Sequence, residues 1–215
     1  MYKRQFGHSA NPQGVYTSSA AAQKCLHNQT SGLIIQSEPS TIKDPRASII
    51  SNLELGEISS LCTKDSAVAI IKHHGGTYLL VSLYMDINLE VGGEHVSNIL
   101  NYAARLNIPI LVGADTNCHT IMFGPESNRR GLDLEELILN TGLRVENVGT
   151  MPTFETYRGN KLISICITAT LSSGLDEKIT NWRVDNSYNE YLVRVAPDCN
   201  RSYCEDSFSG YSGSV

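Results

Sequence analysis

An aspartate and an asparagine two residues apart are the side chains of this sequence best suited to chemistry. Asp115 and Asn117 follow the apolar segment Ile108 to Gly113, which predicts a buried strand. Ligand sites in open α/β sheets form just beyond the carboxyl ends of such strands. A carboxylate and an amide on one side of the chain can orient a nucleophilic water beside a phosphate. The alternative, which the spacing alone slightly favours, is a turn in which both side chains satisfy backbone groups.

Two other side chains follow or close predicted strands. Glu38 comes after the strand Gly32 to Gln36, where a carboxylate suits Mg²⁺, although an exposed glutamate in a Ser/Pro loop is the simpler interpretation. Tyr84 closes the strand Tyr78 to Tyr84. Its hydroxyl can bind phosphate, but a tyrosine at a strand end usually packs against a core.

The elements that would position these residues mix strands and helices without strict alternation. A hairpin is expected where His73 to Gly76 separates two apolar segments. Mixed strands and helices predict an α/β layered fold with mixed sheets. The predicted helices are Ala20 to His27, Val91 to Leu106 and Asp133 to Leu139, and the remaining predicted strands are Ala47 to Ile50, Ala67 to Ile71, Leu162 to Leu171, Asn181 to Val184 and Tyr191 to Val195.

Length and charge restrict the classes of protein that fit. The 215 residues suit one domain, predicted over residues 1–195, with a disordered Ser/Gly/Asp-rich tail over 196–215. A net charge of -5 argues against tight non-specific binding of nucleic acid. A metal-dependent nuclease can still be acidic, because its site gathers carboxylates around a cation.

Cysteine usage and hydropathy indicate the compartment. None of the six cysteines has CxxC spacing, and free intracellular thiols are favoured over pairing of Cys199 with Cys204. No apolar run approaches the ~20 residues of a membrane span, and no apolar segment follows Lys3 and Arg4 as in a signal peptide. We expect an intracellular protein of the nucleus or cytoplasm with no membrane partner.

Taken in order, several segments resemble the endonuclease/exonuclease/phosphatase family, in particular the apurinic/apyrimidinic-endonuclease-like endonuclease domains of non-LTR retrotransposons. The resemblance runs from about Asn11 to Val195, and its specificity lies in the ordered set. The segments are Ile35 to Pro39 ("IQEP"), Asp44 to Ala47 ("RPRA"), Tyr84 to Asn88 ("AYMD"), Gly113 to His119 ("GxDxNAH"), Asn128 to Gly131 ("NxRG"), Pro152 to Phe154 ("PTF") and Ile179 to Val184 ("ITNWxV").

The resemblance implies a four-layer α/β sandwich with two mixed β-sheets flanked by helices. It also implies a phosphodiesterase that nicks DNA with Mg²⁺ or Mn²⁺, and that accompanies a reverse transcriptase. Carried over residue by residue, Asn11 and Glu38 would bind the metal and Tyr84 the phosphate, while Asp115 and Asn117 would orient the attacking water.

Three catalytic positions of the family are altered. The "IDxT" strand stands here as Ile165 to Thr168, so that Cys166 replaces an aspartate. The terminal "SDH" stands as Ser187 to Asn189, which puts Tyr188 at the aspartate and Asn189 at the histidine. An extra Ser37 also separates Gln36 from Glu38.

These changes lead to one main hypothesis and two alternatives. The main hypothesis is a retrotransposon-type endonuclease domain with a degenerate site and little or no activity. The alternatives are a weakly active nuclease in which other residues compensate, and a non-catalytic module that binds DNA or protein. A phosphatase or a secreted deoxyribonuclease of the same superfamily is disfavoured.

Overall fold

The computed structural model describes residues 15–19, 33–36, 45–51, 53–73, 75–149, 152–158, 161–166, 168–175, 179–185 and 192–197.

A six-stranded mixed sheet forms the larger part of the described fold, with strand order β4-β5-β6-β7-β11-β8. β5 and β6 form the predicted antiparallel hairpin, β6 and β7 are parallel, and β7 and β11 are antiparallel. The sheet is therefore mixed, as predicted. Its strands are β4 (Leu55–Glu57), β5 (Ser66–His73), β6 (Gly76–Tyr84), β7 (Ile110–Asp115), β8 (Arg144–Val145) and β11 (Thr168–Ser173).

A second, five-stranded sheet has the order β12-β13-β1-β3-β2. All four of its strand pairs are antiparallel. The expectation of two mixed sheets is therefore wrong for this sheet, in which no described strand has a parallel neighbour. Its strands are β1 (Val15–Ser19), β2 (Leu33–Gln36), β3 (Ala47–Ser51), β12 (Ile179–Asp185) and β13 (Leu192–Pro197).

Alternating side chains of the six-stranded sheet enter two different hydrophobic clusters, as the two-residue period of a strand requires. Ala67, Ala69 and Ile71 of β5 pack with Ile49 of β3 between the sheets. Val68 and residues of β6 and β7 pack on the other face against both helices. The six-stranded sheet is thus buried on both faces, which explains the nearly continuous apolar runs of β6 and β7.

Two helices cover the face of the six-stranded sheet that points away from the five-stranded sheet. An N-cap residue precedes each helix. Helix α1 (Glu94–Leu106) begins after Gly93, three residues later than predicted, and ends at Asn107 in the left-handed region. Helix α2 (Arg129–Thr141) begins after Asn128, whose side chain accepts a hydrogen bond from the Gly131 backbone N–H. Asn128 to Gly131 is therefore a cap and first helical turn, so the predicted start at Asp133 is too late. Neither described helix has the length and hydrophobicity to cross a membrane.

The predicted strand Leu162 to Leu171 is wrong as a single element. β10 (Lys161–Ile165) pairs with β9 (Phe154–Arg158) in a separate two-stranded sheet, whereas β11 belongs to the six-stranded sheet. A continuous β-branched run carries no marker of such a change of sheet. The predicted helix Ala20 to His27 lies outside the described residues, as does the predicted tail except Ala196 and Pro197, which end β13.

Candidate functional site

Three strand ends meet at one edge of the six-stranded sheet. Tyr84 ends β6 and is the Cα partner of Asp115, which ends β7. Thr168 begins β11 and pairs with Asp115 from the other side. The backbone N–H of Met85 donates to the Asp115 carbonyl over 2.8 Å, which extends the β6–β7 pairing past the strand ends. One row across the sheet is therefore formed by three residues that are distant in sequence: Tyr84, Asp115 and Thr168.

The Asp115 carboxylate is held in an unfavourable environment. Its Oδ1 is buried and has no hydrogen-bond partner among the described residues. Burial raises the pKa of this carboxyl above its usual range, and a hydrogen bond from the Asn117 backbone N–H opposes that rise. An orphaned carboxylate oxygen is costly to the fold and suits a cation or a water as its partner.

Asn117 lies beside Asp115 with its side chain anchored. It has a φ of 50°, in the left-handed region that asparagine tolerates better than most residues. Its side-chain nitrogen donates to the Met85 carbonyl over 3.1 Å. With the nitrogen engaged there, the amide oxygen is the atom that can accept a hydrogen bond from a water.

Arg130, in the first turn of α2, fastens together the loops that follow β6 and β7. Its guanidinium donates to the Asp86 carbonyl over 2.9 Å, and to the Leu89 carbonyl. It also reaches the Thr116 carbonyl over 3.4 Å. Because these bonds engage its nitrogens, Arg130 fixes loop geometry rather than presenting an open phosphate-binding fork.

Arg46 makes a second cluster beside Tyr84. It forms ion pairs with Asp65 and, over 2.8 Å, with Asp86. Its Cζ atom lies 4.3 Å from the centroid of the Tyr84 ring. The pKa of Asp86 is lowered to about 2, first by the Asn88 backbone N–H and then by Arg46, while the Arg46 pKa is raised chiefly by Asp65.

Cys166 lies just before β11, two residues from the row, and is buried. The Thr153 hydroxyl donates to its sulfur over 3.8 Å and accepts the Thr168 backbone N–H over 3.1 Å. Burial raises the pKa of the Cys166 thiol, so the side chain is neutral at physiological pH. This position therefore supplies no negative charge to the edge.

The profile of the endonuclease-reverse transcriptase family matches residues 78–188, slightly more than half of the 215-residue chain. The chain belongs to the endonuclease-reverse transcriptase family. No curated protein matches it.

Solved structures support the fold of this endonuclease-reverse transcriptase family member. The endonuclease domain of TRAS1, a telomere-specific non-LTR retrotransposon, is 21% identical, with a TM-score of 0.69 over 84% of this chain and 91% of that one. An endonuclease/exonuclease/phosphatase family protein from Leptotrichia buccalis is 15% identical, with a TM-score of 0.56 over 83% and 77%. A Staphylococcus aureus beta toxin mutant with bound magnesium ions is 11% identical, with a TM-score of 0.52 over 86% and 87%.

The predicted site residues of this endonuclease-reverse transcriptase domain fall into two groups. Tyr84, Asp115, Asn117 and Cys166 are at or near one sheet edge. The other predicted positions lie outside the described residues, and so does the effect of the extra Ser37; they are Asn11, Glu38, Tyr188 and Asn189. Within the described part of the chain, no cluster of three or more His, Cys, Asp or Glu side chains could hold a metal ion.

Sequence reasoning gave no role to the two arginines that organise this edge. Arg46 and Arg130 are the arginines of the segments that resemble "RPRA" and "NxRG". A lone arginine before a strand or in a first helical turn resembles an exposed charge, and its partners are distant in sequence. For Arg46, the sequence signal is the presence of Asp65 and Asp86 at the ends of the β5–β6 hairpin, whereas the backbone carbonyls that Arg130 contacts leave no sequence signal.

Proposed function

We propose that this chain is a retrotransposon-type DNA endonuclease domain whose active site is degenerate, with weak or no phosphodiester cleavage. One observation carries the proposal. Asp115 keeps an orphaned oxygen at the strand-end edge, while Cys166, at a position where the resembled enzymes have an aspartate, is a buried neutral thiol. One carboxylate of the proposed active site is therefore present, whereas the position of a second one holds an uncharged thiol.

The donor set proposed for the metal is Glu38 and Asn11. Mg²⁺ in proteins uses one or two carboxylates together with waters and substrate phosphate, so this set and the orphaned oxygen of Asp115 fit Mg²⁺ or Mn²⁺. The beta toxin of similar fold was solved with bound magnesium ions. When bound, such an ion neutralises charge that develops on the phosphate.

The remaining roles are those that the family resemblance implies. Asp115 and Asn117 would orient the attacking water, and Tyr84, in the same row, would donate its hydroxyl to the phosphate. Asn189 would stand where a histidine acts; its amide can donate a hydrogen bond but cannot carry a proton or a charge. Loss of an acid/base pair of this kind costs roughly 10²–10⁴-fold in rate.

DNA is the proposed substrate, and a linked reverse transcriptase the proposed companion, as the family name suggests. We also propose the four-layer arrangement of the resembled domains. Support comes from contacts between β3 and the β5–β6 hairpin and from the two helices on the opposite face. A helix over Ala20 to His27 would supply the fourth layer.

The alternative is a non-catalytic module that binds DNA or protein, and the way the cations near the edge are used favours protein over DNA as its partner. Arg46 is matched by two carboxylates, and Arg130 donates to backbone carbonyls. Neither presents a free guanidinium to DNA, and the net charge is -5. On this hypothesis the chain keeps the nuclease fold because its surface binds a partner.

Supercoiled-plasmid nicking with Mg²⁺ or Mn²⁺ tests the proposal. We expect nicking at or near background, and no further change in an Asp115→Ala control. The triple variant Cys166→Asp, Tyr188→Asp, Asn189→His should gain at least about 10²-fold in metal-dependent nicking. Strong nicking by the natural chain, abolished by Asp115→Ala, would show that the site is not degenerate. No gain in a folded triple variant would favour the binding module.

A further inference from the structure

Each of the three guanidinium nitrogens of Arg46 donates a hydrogen bond to a carboxylate. Nε and Nη2 meet the two oxygens of Asp65, with 2.7 Å between Nη2 and Oδ2. Nη1 donates to Oδ2 of Asp86 over 2.8 Å. The flat face of the group lies over the Tyr84 ring, 4.3 Å from its centroid. Two acids and one aromatic ring therefore fix a single arginine.

The segments that carry these four residues are also tied together through the backbone. The Tyr84 N–H donates to the Asp65 carbonyl over 2.8 Å, and the Arg46 N–H donates to the Lys64 carbonyl over 2.6 Å. Asp86 is two residues beyond Tyr84. The start of β3, the turn before β5 and the end of β6 thus meet around the Tyr84 ring.

Direct phosphate binding by Arg46 does not fit this arrangement. Each of its three nitrogens already donates to a carboxylate, and the cluster of Arg46, Asp65 and Asp86 carries a net charge of about -1 when both acids are ionised. A phosphate brought against it would meet two anions and one cation. The geometry suits a group that holds another side chain in place.

We propose that Arg46 is a positioning residue that fixes the Tyr84 ring, so that the Tyr84 hydroxyl stands ready for a DNA phosphate beside Asp115. This inference rests on the proposed function, since it assumes that Tyr84 contacts phosphate. Lysine cannot replace Arg46, because an ammonium lacks the planar fork that spans two carboxylates and stacks on a ring. A ring freed to change rotamer loses the benefit of preorganisation.

A double-mutant cycle on DNA binding tests the inference. The probe is a fluorescein-labelled DNA duplex with Mg²⁺, and the variants are Arg46→Lys, Tyr84→Phe and the two combined. We expect each single change to raise Kd by roughly 5–20-fold and the double variant to be no weaker than Tyr84→Phe. Arg46→Lys keeps the charge, so its loss cannot come from long-range attraction of DNA.

A spectroscopic measurement separates positioning from a general loss of structure. Stacking on Tyr84 should shift the Arg46 Hδ resonances upfield in the natural chain, and this shift should vanish in Tyr84→Leu. Arg144→Lys is the matched control, because Arg144 is an exposed side chain on β8, away from the row, and pairs with Glu146 over 2.7 Å. It should leave Kd unchanged.

The outcomes distinguish the inference from the proposed function. If Tyr84→Phe weakens binding and a folded Arg46→Lys does not, or if the two losses multiply, the positioning role is overturned while Tyr84 remains a phosphate contact. If Tyr84→Phe changes nothing, the phosphate role of Tyr84 is wrong and the inference falls with it.

Discussion

Asp115 is placed where a carboxylate harms the fold that carries it. Its Oδ1 is buried without a partner among the described residues, and burial raises its pKa. A folded chain binds a proton at such a carboxyl more tightly than the unfolded chain does. The ionised form therefore costs stability at neutral pH, and this cost is absent below the ordinary pKa of 3.8.

Replacing Asp115 with asparagine should stabilise the metal-free protein. We expect Asp115→Asn to raise the free energy of unfolding by about 1 kcal/mol at pH 7, because it removes a buried charge whose Oδ1 has no hydrogen-bond partner among the described residues. The gain should shrink as the pH falls through the raised pKa and disappear near pH 3.8. Denaturant unfolding in EDTA across this pH range measures it.

Asp133→Asn is the matched control, since Asp133 is exposed and pairs with Arg129 on the surface of α2. It should change stability by less than about 0.5 kcal/mol. Added Mg²⁺ should stabilise the natural chain but not Asp115→Asn, because only a ligand that binds the folded state shifts the equilibrium. Destabilisation by Asp115→Asn at pH 7 would contradict the account of the orphaned oxygen.

The residues at the sheet edge were only partly predictable. Asp115 and Asn117 follow an apolar strand, so their position at its carboxyl end could be expected from local pattern. The burial of Cys166 under Thr153 could not, because it depends on β11 pairing with β7 rather than continuing from β10. The cluster around Arg46 joins three separate segments and leaves no local pattern.

The loop between β7 and α2 is held against the first turn of the helix by a backbone contact that only glycine permits. A Cβ at Gly131 would lie 1.6 Å from the His119 carbonyl oxygen. The same carbonyl accepts the Asn128 N–H over 3.0 Å. The loop carrying Asn117 and the helix carrying Arg130 are therefore fitted together at Gly131.

Gly131→Ala should destabilise the protein by about 1–3 kcal/mol, because the backbone of the loop or the helix must move to admit a methyl group. Thermal unfolding followed by circular dichroism measures the loss. Gly56→Ala is the control, since a Cβ there would meet only the Ile70 carbonyl at 3.7 Å. A Gly131→Ala protein as stable as the Gly56→Ala protein would show that the contact is readily relieved.

Helices and apolar strands were predictable, whereas short or polar strands were not. The apolar spacing of α1 and the short apolar runs of β5 and β6 identify these elements from local sequence. β1 contains tyrosine, threonine and serines, and β4 has three residues, so neither carries a strong pattern. They are strands because neighbouring strands supply their hydrogen-bond partners.

The two ends of the described chain meet in the five-stranded sheet. β1 pairs with β13 through Val15 and Val195, and β13 in turn pairs with β12. Sequence pattern predicted β12 and β13 as strands but could not give this partnership, since pairing over such a separation depends on the whole fold. The sheet therefore needs its last strand in order to join β12 to β1.

Removing β13 should prevent cooperative folding. A chain ending at residue 185 should lose its sharp unfolding transition, because β1 and β12 both lose a partner strand. A chain ending at residue 197 keeps β13 and should unfold like the full chain, as expected if 198–215 is a dispensable tail. Calorimetry of the full chain and of the two shortened chains tests this prediction. A sharp transition in the chain that ends at residue 185 would show that cooperative folding does not require β13.

The same β1–β13 partnership governs how the molecule reaches its native state. Loop closure across about 180 residues must precede these contacts, and topologies with high relative contact order fold slowly. During synthesis, β1 leaves the ribosome long before its partner exists and presents an unpaired edge for that interval. Nascent chains stalled before β13 should therefore depend on chaperones more than chains released after it.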